Sequence, residues 1–98
     1  MYAAVRSYAG PGASELFEAL GQRQDEIKAL FIRDVQGFVS YTAVQTAPDS
    51  GTTVTVCQDQ AGAEESSRIA AGWVATNLTV VGNAPTVAGG SAVAHFTA

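Results

Sequence analysis

Tyr2, Ala4, Arg6 and Tyr8 alternate with Ala3, Val5, Ser7 and Ala9. A period of two predicts a strand with two unlike faces. Gly10-Pro11-Gly12 ends it. The period then changes. Leu16, Leu20, Ile27 and Phe31 recur at helical spacing, and Phe17 and Leu30 widen the stripe. Gln22 to Glu26 and Lys28 form the wet side. The spacing predicts one helix from Ser14 to about Ile32, with the Ser14 hydroxyl as N-cap and Glu15 and Glu18 near the positive helix end.

After Gly37, where the backbone can turn sharply, Phe38 to Thr46 and Thr52 to Cys57 are rich in aromatic and β-branched residues. Pro48-Asp49-Ser50-Gly51 between them is a turn signal, so an antiparallel hairpin is expected. The loop does not fix the register, which leaves the face of Tyr41 open. Asp59 is placed to cap a second helix, in which Ile69, Ala70, Trp73, Val74, Asn77 and Leu78 share one broad face. Gly62 and Gly72 lower its intrinsic propensity by about 1 kcal/mol each relative to Ala, so packing must hold it. Gly82-Asn83-Ala84-Pro85 reads as loop and Gly89-Gly90 as a turn or bulge. Ser91 to Thr97 is the expected last strand. The order strand, helix, strand, strand, helix, strand predicts an α+β, ferredoxin-like βαββαβ domain over residues 1–98. Its four-stranded antiparallel sheet would carry both helices on one face.

Composition adds a second expectation. Only 14% of the 98 residues are charged, against a typical ~25%, although 47% are hydrophobic. Every acid lies between Glu15 and Glu65, and no formally charged side chain follows Arg68. A chain with so few charges and one bare sheet face is expected to be covered by a second copy of itself, as a homodimer. The net charge of −4 argues against nucleic acid and against an anionic membrane surface. No apolar run is long enough to span a bilayer, and Met1 runs straight into a strand-like segment rather than a secretory leader. With the single Cys57 this gives the expectation of a cytoplasmic protein.

The stretch Gly37-Phe38-Val39-Ser40-Tyr41, the Asp-Ser-Gly turn, Thr53-Val54-Thr55-Val56 and the run from Asp59 to Ser66, ending in Trp73, resembles the dimeric α+β barrel superfamily. In particular it resembles the antibiotic-biosynthesis-monooxygenase-like group. The resemblance implies a dimer that pairs two bare sheet faces into a barrel, with a ligand cleft between helices and sheet. It implies a cofactor-independent oxygenase-like enzyme acting on an aromatic or polyketide-like molecule; a dimer that only binds a small molecule or a partner stands beside it. Related haem-degrading enzymes use an Asn, a Trp and a His, but the first strand here carries no Asn and His95 falls on the expected last strand, not on a helix.

Trp73 and Asn77 are one helical turn apart and project together, either lining such a cleft or serving as core residue and helix cap. His95 is the only histidine, the side chain that ordinarily titrates near neutral pH, and is the candidate base or a hydrogen-bonded strand residue. Arg6 can hold an anionic group of a ligand or pair with an acid across the sheet; Tyr41 joins it as a substrate-binding candidate. No Cys/His/carboxylate cluster has metal spacing, so neither metal nor cofactor is expected. Gly10-Pro11-Gly12 lacks the third glycine and the parallel sheet of a dinucleotide loop.

Overall fold

The first strand, β1, runs Tyr2–Ala9, as its alternation predicts. In the computed structural model, which describes residues 1–79 and 82–98, it is followed by α1 (Ala13–Gln22), α2 (Gln24–Asp34), β2 (Phe38–Ala47), β3 (Ser50–Cys57), α3 (Gln60–Asn77) and β4 (Thr86–Ser91). The four strands form one antiparallel sheet in the order β2-β3-β1-β4. This is the ferredoxin-like α+β arrangement, here as a single chain with an open sheet. No helix among the described residues is long and apolar enough to cross a membrane.

Register decides what each strand presents. Directly paired residues share a sheet face. Arg6 pairs with Thr53 and with Val87, and Ala4 with Thr55 and Gly89. Tyr41 pairs with Thr55 and Ala43 with Thr53. These rows face the helices: Arg6 reaches α3, Phe17 of α1 packs on Tyr8, and Phe31 of α2 packs on Tyr41. The side of Tyr41 is thereby fixed. A register shift between Phe38 and Ser40 puts Phe38 and Tyr41, three positions apart, on the same face, and both pack edge-on against Phe31. The opposite face carries the rows Thr42–Val54–Val5–Ala88 and Ser40–Val56–Ala3–Gly90, with no charge in either.

The chain departs from expectation in three places. The predicted helix from Ser14 to Ile32 is two helices, broken at Arg23 (φ −118°, ψ 28°). The break falls in the wet segment, where no apolar side chain holds the axis straight. Arg23 is instead tied to α3, its guanidinium 4.9 Å from the Trp73 ring centroid and donating to Asn77 Oδ1 at 2.8 Å. The N-cap of α1 is Gly12 rather than Ser14; Gly10 and Gly12, at φ near +90°, turn the chain so sharply that the helix begins at Ala13.

The third departure is the last strand. It is Thr86–Ser91, not Ser91 to Thr97. Gly89 and Gly90 are strand residues paired with Ala4 and Ala3. A Cβ at Gly89 would come within 3.0 Å of the Tyr2 ring, so the glycine makes room for a cross-strand aromatic. Ser91 already pairs with Tyr2 and Ala92 N–H donates to Met1 O, so residues 93–98 run past β1. Val93 there is 95% exposed.

The core between α2, α3 and the sheet joins Ile27, Phe31, Val35, Cys57, Ala63 and Trp73. Asp59 caps α3 as expected, accepting from Gly62 N–H at 2.9 Å. Gly62 is needed where it is, because a Cβ would sit 2.4 Å from Gln36 O.

Candidate functional site

Arg6 lies on β1, a central strand, on the face beneath the helices, and is 1% exposed. Alternation along β1 turns it inward; register places Thr53 beside it and Thr55 one step along the same face of β3. From above, α3 contributes Ser66 and Ser67. The guanidinium donates from Nε to Thr53 Oγ1 (3.1 Å), from Nη1 to Ser66 Oγ (3.3 Å) and Ser67 Oγ (3.0 Å), and from Nη2 to Thr55 Oγ1. All four acceptors are neutral hydroxyls. No carboxylate pairs with Arg6 among the described residues; the ion pairs Arg23–Glu26, Arg33–Asp34 and Arg68–Glu65 all lie on the helices.

Two phenols stand near this cation. Burial pushes Tyr41 up to about 12, against the opposing pull of the Arg6 charge. Burial also raises Tyr8, again opposed by Arg6. Both keep their protons at neutral pH and provide no counter-ion. A buried cation held only by hydroxyl dipoles is costly, because an ion loses several kcal/mol of solvation on burial.

Arg6, Tyr8 and Ser67 together line one end of a cavity of about 530 Å³ between α1, α3 and the β1–β4 edge. The rest of its wall is mostly apolar, including Ala13 and Leu16 of α1, Ala71 and Val74 of α3, and Val87 of β4. A second cleft, of about 620 Å³, opens between α1, α2 and β2 and is lined by Phe17, Phe31, Phe38 and Tyr41. Phe17 of the second cleft packs against Tyr8 of the first. Its ring lies on Gly51, where a Cβ would approach within 2.3 Å, and meets Tyr8 edge-on at 6.0 Å between centroids.

Of the residues that the sequence singles out, Arg6 and Tyr41 are brought to the same sheet face, both near Thr53 and Thr55. Trp73 and Asn77 do project together. They face Arg23, however, and line a groove between α2 and α3 away from the Arg6 cavity. Asn77 Nδ2 donates to Trp73 O, which makes Asn77 the tie between the end of α3 and the start of α2. Trp73 is 9% exposed and its Nε1–H has no hydrogen-bond partner among the described residues. His95, expected on the last strand, lies beyond β4 in an exposed segment, and it lines none of these cavities. The structure does not bring His95 to Trp73 and Asn77.

Residues that sequence reasoning left without a role are Tyr8, Thr53, Thr55, Ser66 and Ser67. Tyr8 had a signal, since it shares the strand face of Arg6. The Thr53/Thr55 pair is visible only as a period-two repeat of hydroxyls, and the two serines only as a neutral pair on a helix.

No protein-family model matches the chain, and no curated protein matches its sequence. Among solved structures, the chain is similar to a protein of unknown function from Nitrosomonas europaea. That likeness has 21% sequence identity and a TM-score of 0.67, covers 99% of this chain and 92% of the other, and shows the fold alone.

Proposed function

We propose that this chain is a small-molecule-binding protein whose site is the cavity between α1, α3 and the β1–β4 edge, with Arg6 at its polar end. The observation that carries the reading is the Arg6 guanidinium, 1% exposed, without a carboxylate partner among the described residues, in the wall of an otherwise apolar space. Binding pockets combine such a mainly apolar lining with a few converging polar groups. The ligand is an aromatic or alicyclic compound. The resemblance to the dimeric α+β barrel superfamily supports the same kind of cleft.

Two copies then pair their uncharged sheet faces across the rows centred on Val54 and Val5. An obligate interface of this kind buries more than about 2,000 Å² in total. Sedimentation velocity at micromolar concentration tests it: the parent runs as a dimer, and Val54→Asp, which buries a charge in that face, runs as a monomer. A monomeric parent contradicts the pairing.

For the oxygenase-like reading, acting on an aromatic substrate without cofactor, the Arg6 cavity would need a base, and it is lined by neither Trp73 nor Asn77. His95 lies outside it, and burial keeps Tyr8 protonated. Binding is therefore put ahead of catalysis. Calorimetry with 1-naphthoate and 1-naphthamide tests the binding claim. The parent binds at least one of them, and Val74→Trp, which fills the cavity, binds neither while keeping its far-UV spectrum. A parent that binds neither compound contradicts the reading.

A further inference from the structure

The surroundings of Arg6 offer its charge only neutral oxygens. An arginine carries five N–H donors. Four of them go to Thr53, Thr55, Ser66 and Ser67, and the phenol oxygens of Tyr8 and Tyr41 also lie within reach of the guanidinium, so every partner it has among the described residues is a neutral oxygen. The Ser66 hydroxyl gives its own proton to Ala63 O at 2.6 Å. Thr53, Thr55 and Ser67 accept from Arg6, and Thr53 also meets the phenols of Tyr8 and Tyr41. Tyr8 adds a phenol O–H at the same end of the cavity. The cluster therefore holds one positive charge surrounded by neutral oxygens, with no anion among the described residues.

We infer that the ligand carries a single anionic carboxylate, held at the Arg6–Ser67–Tyr8 end, and an uncharged apolar body lying along Leu16, Val74 and Val87. This rests on the binding reading above and adds the chemical class. One buried positive charge is balanced by a monoanion; a dianion would leave a net negative charge in the apolar space. A carboxylate offers two accepting oxygens on one planar head, so it can take the Ser67 and Tyr8 protons together while facing the guanidinium. A neutral amide of the same shape leaves the buried charge of Arg6 without an anion. Arginine stays charged throughout the accessible pH range, so the preference tracks the ionisation of the ligand and not that of the protein.

The experiment compares 1-naphthoate with 1-naphthamide by calorimetry at neutral pH and fixed ionic strength, on the parent, Arg6→Met and Ser67→Asp. The parent is expected to bind the acid at least about thirtyfold more tightly than the amide, the scale of a buried charge losing its partner. Arg6→Met is expected to remove that preference. Ser67→Asp places a carboxylate within reach of Nη1 and so supplies the missing anion from within the chain. It is expected to fold, to lose naphthoate, and to melt at a higher temperature than the ligand-free parent. Should Arg6→Met fail to fold, Ser67→Asp alone decides. Equal binding of acid and amide by the parent overturns the inference while leaving the binding reading intact. Unchanged naphthoate affinity in Ser67→Asp overturns it as well. Absence of binding for both compounds overturns both.

Discussion

Replacing Arg6 by Met is the perturbation whose outcome separates a charge built for a ligand from a charge built for the fold. Met keeps an apolar stem of similar length and removes the guanidinium. Four charge-assisted hydrogen bonds go with it. At about 1.5 kcal/mol each, their loss would cost about 6 kcal/mol if nothing offset it. The offset is the desolvation of an ion that is 1% exposed and has no anionic partner among the described residues, worth several kcal/mol in the opposite direction. The freed hydroxyls of Thr53, Thr55 and Ser67 can also hydrogen-bond to one another, because each can both donate and accept. Ligand-free Arg6→Met should therefore unfold within about 2 kcal/mol of the parent. Urea denaturation followed by far-UV circular dichroism and by the single Trp73 measures this, and equal slopes in denaturant confirm that the comparison is like for like. With naphthoate at a hundred times the parent's dissociation constant the parent gains about 2.7 kcal/mol and Arg6→Met, binding at least about thirtyfold more weakly, gains less than about 1 kcal/mol. A loss of about 5 kcal/mol or more in the ligand-free variant would refute the reasoning, since hydroxyls alone would then be compensating the charge.

Other consequences follow from the packing. Gly62→Ala raises helix propensity but drives a Cβ to 2.4 Å from Gln36 O; it should destabilise by about 1–3 kcal/mol, and a stabilised variant in the same urea assay would contradict the placement of α3. Tyr41 holds its proton more tightly folded than unfolded. Its contribution to stability is full below about pH 10 and is lost as pH rises towards about 12; ultraviolet titration of the folded protein should show a phenol ionising well after free tyrosine, and ordinary ionisation of every tyrosine would rule this out. Trp73→Ala removes a buried indole and the platform under Arg23, and should cost about 3–5 kcal/mol; a loss below about 1 kcal/mol would show that the α2–α3 tie is not structural.

The element order was legible because local chemistry writes it. The alternation of Tyr2 to Ala9, the Asp59 cap and the positive φ of Gly37 need only neighbours in sequence to be read, and each stands where it was expected. The last strand was not legible by the same rule. Glycines usually interrupt strands, but Gly89 is there to admit the Tyr2 ring, which is a cross-strand fact. His95 was placed on a strand by the alternation of Ser91 to Thr97, a pattern with nothing to pair against beyond Tyr2. The site was half visible. Arg6 could be named from its own strand, but the absence of an acid opposite it could not. Its partners Thr53 and Ser67 lie 47 and 61 positions away on two other elements. Tyr41 needed the register shift near Phe38 before its face was known. Trp73 and Asn77 share a helix face as spacing requires, yet what that face meets is set by the break at Arg23, which spacing does not predict.

The central claim is that an anion belongs beside Arg6. Titrating 15N-labelled protein with 1-naphthoate, and following the Arg6 Nε–H resonance together with the backbone amides, tests it most directly. Saturable shifts are expected at Arg6 Nε–H and at Tyr8, Ser67, Val74 and Val87, with one equivalent per chain. Shifts confined to the open sheet face around Val54, or an Arg6 Nε–H that does not move at saturation, would contradict it.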